Sequence, residues 1–74
     1  MPLQKCRKNA KLSQSELSAV SGVNLRTIQA YEANKRDINN AGLDILCAFA
    51  LSCRCTIFDI LDNEQLKIKL KKVI

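Results

Sequence analysis

Residues 12–32, LSQSELSAVSGVNLRTIQAYE, constrain this chain more than any other stretch. They read as two short amphipathic helices joined by a tight glycine turn. Ser13 and Glu16 have the spacing of a reciprocal capping box, in which the serine hydroxyl takes the Glu16 amide and the carboxylate reaches back to the amide of Ser13. Leu17 and Val20 are expected to face inward, and Gly22 ends the helix where a left-handed residue is needed. Asn24 caps the next helix, and Val23 just outside it staples against Ile28. At about 100° per residue, Ile28 and Tyr31 point inward while Arg26, Gln29, Ala30 and Ala33 lie on the opposite side. The first turn, Asn24-Leu25-Arg26-Thr27, is polar or exposed where a lone core helix would be apolar. Such a helix packs one face inward and offers its first turn to another molecule.

Around this unit the chain reads as helical. Leu3 to Asn9 forms a short basic helix with Leu3, Cys6 and Ala10 on its inner face, and Lys11-Leu12 is the connector. Residues 34–40 are a polar loop. A fourth helix runs from about Ala41 to Ser52, its stripe made of Leu43, Leu46, Cys47, Phe49, Ala50 and Cys53. Thr56, with Asp59 three residues on, starts a short fifth helix, Ile57 to Leu61. The tail reads two ways. Leu66-Lys67-Ile68-Lys69-Leu70 alternates as an exposed strand does, and Leu66, Leu70 and Val73 also fit a helix; the alternation favours a strand. The expected fold class is all-α, five short helices with a short C-terminal tail that is strand or helix. Helices two and three, joined by a turn of about four residues, make a helix-turn-helix. Residues 1–61 form the domain and 62–74 the tail, a candidate dimerisation segment.

A chain of 74 residues makes one small domain. It buries only about 60% of its unfolded surface, so its stability is modest unless it dimerises. The net charge is +5, and it is spread: residues 1–61 carry eight basic and five acidic groups (+3), the tail four and two (+2). A basic surplus favours a polyanionic partner. Lys67, Lys69, Lys71 and Lys72 read as a solubilising edge rather than a binding arm. The four cysteines include no C-x-x-C pair, and no His is present to complete a mixed site, so neither metal nor disulfide is expected. Cys47 sits at a helix-spaced apolar position, where a free cysteine behaves as a small hydrophobe. Unpaired thiols imply a reducing cytoplasm. Met1-Pro2-Leu3-Gln4-Lys5 opens no secretory signal, and no apolar run approaches the roughly 18 residues of a membrane helix. With no His, no phosphate-binding glycine loop and no paired Lys and Asp spacing, neither enzyme activity nor a cofactor is expected. The partner that fits the offered helix is the major groove of double-stranded DNA.

The strings Leu12-Ser13-Gln14-x-Glu16-Leu17, Gly22-Val23, Thr27-Ile28 and Tyr31-Glu32, followed by Leu46-x-x-Phe49-Ala50-x-x-Cys53 and Cys55-Thr56-Ile57-x-Asp59-Ile60-Leu61, resemble the Cro/repressor-type helix-turn-helix family of lambdoid phages and bacterial regulators, the XRE family. The resemblance covers roughly residues 3–61. It implies a compact five-helix lambda-repressor-like domain whose dimers place the third helix of each subunit in successive major grooves about 34 Å apart, on an operator of twofold symmetry. It puts base reading on Asn24, Leu25, Arg26 and Ala30. Backbone contacts fall on Ser13, Gln14, Lys35, Arg36 and the amides near Asn39 and Asn40, with Thr27 and Gln29 read beside them. Gln14 also braces the recognition helix, and Arg7 with Glu32 forms a partly buried ion pair between helices one and three. Arg26 can offer two parallel donors to guanine O6 and N7. Leu25 has only a thymine methyl to pack on, and Lys35 and Arg36 neutralise backbone without carrying sequence. Capping alone also accounts for Asn24. Three positions depart from the pattern. Ser18 replaces a usual Ala, Arg54 the glycine that ends helix four, and Asn34 another glycine whose conformation Asn tolerates. Cys53 and Cys55 fall on core slots.

The function expected from this reading is a sequence-specific DNA-binding transcriptional regulator, a repressor acting as a homodimer. No sensor or cleavable dimerisation domain is expected after the DNA-binding unit, so regulation would come from concentration, proteolysis or a partner. If Leu66, Ile68 and Leu70 form a strand, two copies pair antiparallel across the dyad. The alternative is an antitoxin or bridging module whose main ligand is a protein partner, a toxin or another regulator, docked on the apolar tail. A redox or metal sensor built on the cysteines is a third, disfavoured class.

Overall fold

The computed structural model describes residues 1–74 as six α-helices and no strand. Helix α1 spans Pro2–Asn9 and α2 spans Gln14–Ser21. Helix α3 spans Leu25–Glu32, and a single 3₁₀ turn, Ile38–Asn40, follows it. Helices α4 (Leu43–Cys53), α5 (Ile57–Ile60) and α6 (Glu64–Val73) complete the chain. No helix is long and apolar enough to cross a membrane.

Local chemistry sets most of these boundaries. Pro2 sits in the first turn of α1, where its missing N–H costs nothing. At α2 the Glu16 amide donates to Ser13 Oγ at 3.0 Å and the Ser13 amide donates to Glu16 Oε1 at 2.9 Å. Thr56 and Asp59 repeat the device at α5, at 3.2 and 3.0 Å. These hydrogen bonds hold both carboxyls below the usual carboxylate range. Left-handed residues end three segments: Gly22 (φ 76) after α2, Asn34 (φ 59) after α3 and Arg54 (φ 55) after α4. Lys11 (φ 61) does the same between α1 and α2, a role that no feature of its side chain announces.

The core is aliphatic around one aromatic pair. Leu3, Leu17, Ile28, Phe49 and Ile60 are fully buried, one from each of the first five helices. The Tyr31 and Phe49 rings meet edge to face with centroids 6.2 Å apart, a favoured aromatic geometry. Helix α2 packs on both α3 and α4, while α5 closes against α1 and α4.

Several expectations need correction. The tail is not a strand. Asn63 caps α6 by accepting the Leu66 amide at 3.0 Å, Glu64 lies in its first turn, and Lys71 and Lys72 lie in its last, the charge order that suits a helix dipole. Leu66 and Leu70 pack against the core, whereas Ile68 and Val73 are exposed. A strand there would leave its amides unpaired for want of a neighbouring strand, while a helix pairs them within itself. Strand pairing across a dyad therefore does not occur as expected. Val20, expected inside, is 61% exposed; Leu17 is the one buried residue of α2. Leu43 and Cys47 also belong to the outer side of α4, whose buried line is Leu46, Phe49 and Cys53. Helix α4 starts at Leu43 rather than Ala41, with Gly42 as its cap. The loop before it is not wholly polar: Ile38 is buried and anchors the 3₁₀ turn.

Candidate nucleic-acid interface

The turn between α2 and α3 is tied down by side chains from both sides. Ser18 Oγ donates to the Val23 carbonyl at 2.6 Å, and the Val23 amide donates to Ser21 Oγ at 3.1 Å. Ser18, which stands where the family pattern has Ala, thus locks the turn as well as fitting the helix contact. Asn24 Oδ1 accepts the Arg26 amide at 2.8 Å and caps α3. The Asn24 side chain is thereby engaged at the mouth of the helix, and its amide nitrogen makes no hydrogen bond within the chain.

Behind α3 a polar cluster sets the helix against its neighbours. Arg7 Nε and Nη2 donate to the two oxygens of Glu32 at 2.7 and 2.9 Å, a bidentate pair. The third arm, Nη1, donates to the Leu12 carbonyl at 2.8 Å. Gln14 Nε2 donates to Glu32 Oε1 at 3.1 Å, so the same carboxylate links α1, α2 and α3. Hydrogen bonding to Glu32 pushes the Arg7 guanidinium above its ordinary pKa and keeps it charged. No buried side-chain polar atom is left without a partner. The position and tilt of α3 are therefore fixed from within, before any ligand arrives.

The outer face of α3 has no such partners. Ile28 and Tyr31 are buried, while Arg26, Gln29 and Ala33 are exposed and Leu25, Thr27 and Ala30 are partly so. The Arg26 guanidinium and the Gln29 amide make no ion pair or hydrogen bond inside the chain. Just beyond α3, Lys35 and Arg36 are exposed; Arg36 lies over the Tyr31 ring at 5.4 Å, which orients its guanidinium by cation–π attraction. That aromatic seat could not be read from the sequence, because it depends on where the loop doubles back. The Lys35 and Arg36 amides both donate to the Ala30 carbonyl, which folds the loop onto the end of α3.

Asn39 and Asn40 are engaged internally as well. The Asn39 amide donates to Asp37 Oδ1, and Asn39 Oδ1 accepts from the amides of Asp62 and Asn63, both at 3.1 Å. Its Nδ2 donates to Asp37 and Asp62. Asn39 therefore joins the 3₁₀ turn to the start of α6. The Asn40 amide donates to the Asp37 carbonyl.

Two short helices at a locked turn, the second carrying the unpartnered Arg26 on its exposed face, define a helix-turn-helix DNA-binding protein. A family profile described as Helix-turn-helix matches residues 3–50, 48 of the 74 residues, and the chain belongs to that family, in its XRE-type branch of DNA-binding regulators. No curated protein and no solved structure matches the chain.

Proposed function

We propose that the protein is a transcriptional repressor that binds a twofold-symmetric operator as a homodimer, with α3 in the major groove. The observation that carries this reading is the unspent Arg26 guanidinium on an exposed helix face whose backbone is clamped from behind. A rigid donor pair aimed outward suits guanine O6 and N7, a contact worth about 1–3 kcal/mol of discrimination. Asn24, Leu25 and Ala30 share the reading surface. Ser13, Gln14, Thr27, Gln29, Lys35 and Arg36 flank it as backbone contacts. Asn40 stands at their edge, and Asn39 acts by shaping the loop. Residues 1–61 carry the DNA-binding unit in this reading, and α6 caps the core behind it through Leu66 and Leu70.

Anisotropy titration of the protein and its Arg26→Ala variant tests the reading. The duplexes are DNA from the protein's own upstream region and a scrambled control, each at two salt concentrations. The expected result is a preference for the native duplex that Arg26→Ala removes, while the salt-sensitive binding common to all duplexes persists. Equal weak binding of every duplex by the wild type would refute a self-operator. A protein that ignores DNA at low salt would refute the reading and favour a partner-binding module that uses the exposed Ile68, Val73 and Ile74.

A further inference from the structure

Helix α4 is apolar around nearly its whole circumference. From Leu43 to Cys53 only Asp44 and Ser52 carry polar side chains, and the Ser52 hydroxyl is satisfied by the Ala48 carbonyl at 2.7 Å. A helix that is hydrophobic all round is ordinarily buried on all sides. This one is buried on one side only. Leu46, Phe49 and Cys53 face the core, while Leu43 (67%), Cys47 and Leu51 (81%) are exposed. The three exposed residues are four apart, so they form one continuous stripe along the helix. Asp44 and the cap residue Arg54 flank the stripe at its two ends, and neither has an ion-pair partner within the chain.

We infer that this outer face of α4 is the pairing surface for a second copy of the chain, with two α4 helices crossing antiparallel about a twofold axis at Cys47. The face is self-complementary in the way an isologous contact requires. Leu43 and Leu51 stand four residues to either side of Cys47, so each leucine meets the other kind on the second copy. Asp44 lies near the N-terminal end of α4 and Arg54 at its C-terminal end, so antiparallel pairing brings each acid towards the base of the other copy. The helix dipoles then also run in opposite senses, which is favourable. A helix of 11 residues is about 16 Å long, and a three-residue stripe covers less than the about 800 Å² per partner of a standard interface. The free dimer is accordingly weak, and joint occupancy of one operator strengthens it. This inference supplies the surface for the homodimer proposed above and rests on that reading for its use. Its test employs DNA-free protein, so a failure to pair and a failure to bind DNA are read separately.

Cys47 is the one exposed thiol, Cys6 and Cys53 being buried and Cys55 partly so, which makes it a probe of the dyad. A short bismaleimide, which adds to thiols without oxidant, is applied to the full chain at high protein concentration. The expected product is a linked dimer that disappears in Cys47→Ser. Its yield falls at least about tenfold in Leu51→Glu, the loss that about 1.4 kcal/mol represents. Cys47 in that variant still takes a monofunctional maleimide, and at dilute concentration, where the weak dimer is dissociated, its melting curve matches wild type because Leu51 is exposed in the monomer. Charge reversal gives a second readout by sedimentation: Asp44→Arg weakens the dimer, and Asp44→Arg with Arg54→Asp restores it. Equal yields from wild type and Leu51→Glu, no linked dimer at all, or no rescue by the double reversal would each overturn the inference.

Discussion

Replacing Arg7 with alanine gives the sharpest test of how this small domain holds α3. The Arg7 and Glu32 side chains are only 9% and 4% exposed, and their bidentate contact is the domain's one buried ion pair. Removing the guanidinium leaves the Glu32 carboxylate with Gln14 as its sole side-chain donor, and leaves the Leu12 carbonyl without its side-chain partner. Breaking a buried pair from one side costs about 3–5 kcal/mol. A 74-residue domain is stable by only about 4–11 kcal/mol. Arg7→Ala is therefore expected to remove roughly half of the stability and to lower Tm by at least about 12 °C. Urea unfolding followed by far-UV circular dichroism measures the loss. Arg7→Lys keeps the charge but not the three-armed geometry, so it falls between wild type and alanine. A double variant, Arg7→Met with Glu32→Leu, removes both charges and recovers most of the loss, since apolar replacement of a buried pair is often neutral or better. DNA affinity of the folded fraction of Arg7→Ala changes less than stability does. A stability loss below about 1 kcal/mol would mean that the pair behaves as an exposed one and would refute the reasoning. A double variant no better than Arg7→Ala would refute it too.

Three further outcomes are expected. Ser18→Ala removes the hydroxyl that holds the Val23 carbonyl, and destabilises the protein by about 0.5–1.5 kcal/mol in the same urea assay. Lys11→Gly relieves a left-handed backbone at an exposed position and stabilises by up to about 1 kcal/mol, seen as a higher Tm. Glu16 and Asp59 are held below the usual carboxylate range by their capping hydrogen bonds, to Ser13 and to Thr56. Their contribution is thus present above that range and lost as pH falls through their lowered values; Tm falls in acid, and Glu16→Gln with Asp59→Asn flattens that fall.

The cysteines show how local and tertiary information divide. Their spacing excludes a paired metal motif, and burial lifts the Cys53 thiol and pushes Cys55 up to about 12, which keeps both protonated and unreactive at neutral pH. Cys47 is a different case, because helical spacing alone cannot say that the core lies on the other side of α4.

The same division runs through the chain. The sequence by itself determined the capping boxes of α2 and α5, the Asn24 cap and the left-handed turn at Gly22. It also determined the amphipathic face of α3 that leaves Arg26 outside. Each of these depends on residues within about four positions of one another, so spacing and side-chain chemistry suffice. Only the tertiary structure decided that α6 is a helix, that Val20, Leu43 and Leu51 lie in the open, and that Asn39 bridges to Asp62 and Asn63. It alone seated Arg36 on Tyr31 and joined Arg7, Glu32 and Gln14 into one brace. Those outcomes rest on which distant element arrives to cover a face or accept a hydrogen bond, and a period of 3.6 or 2 residues carries no information about that.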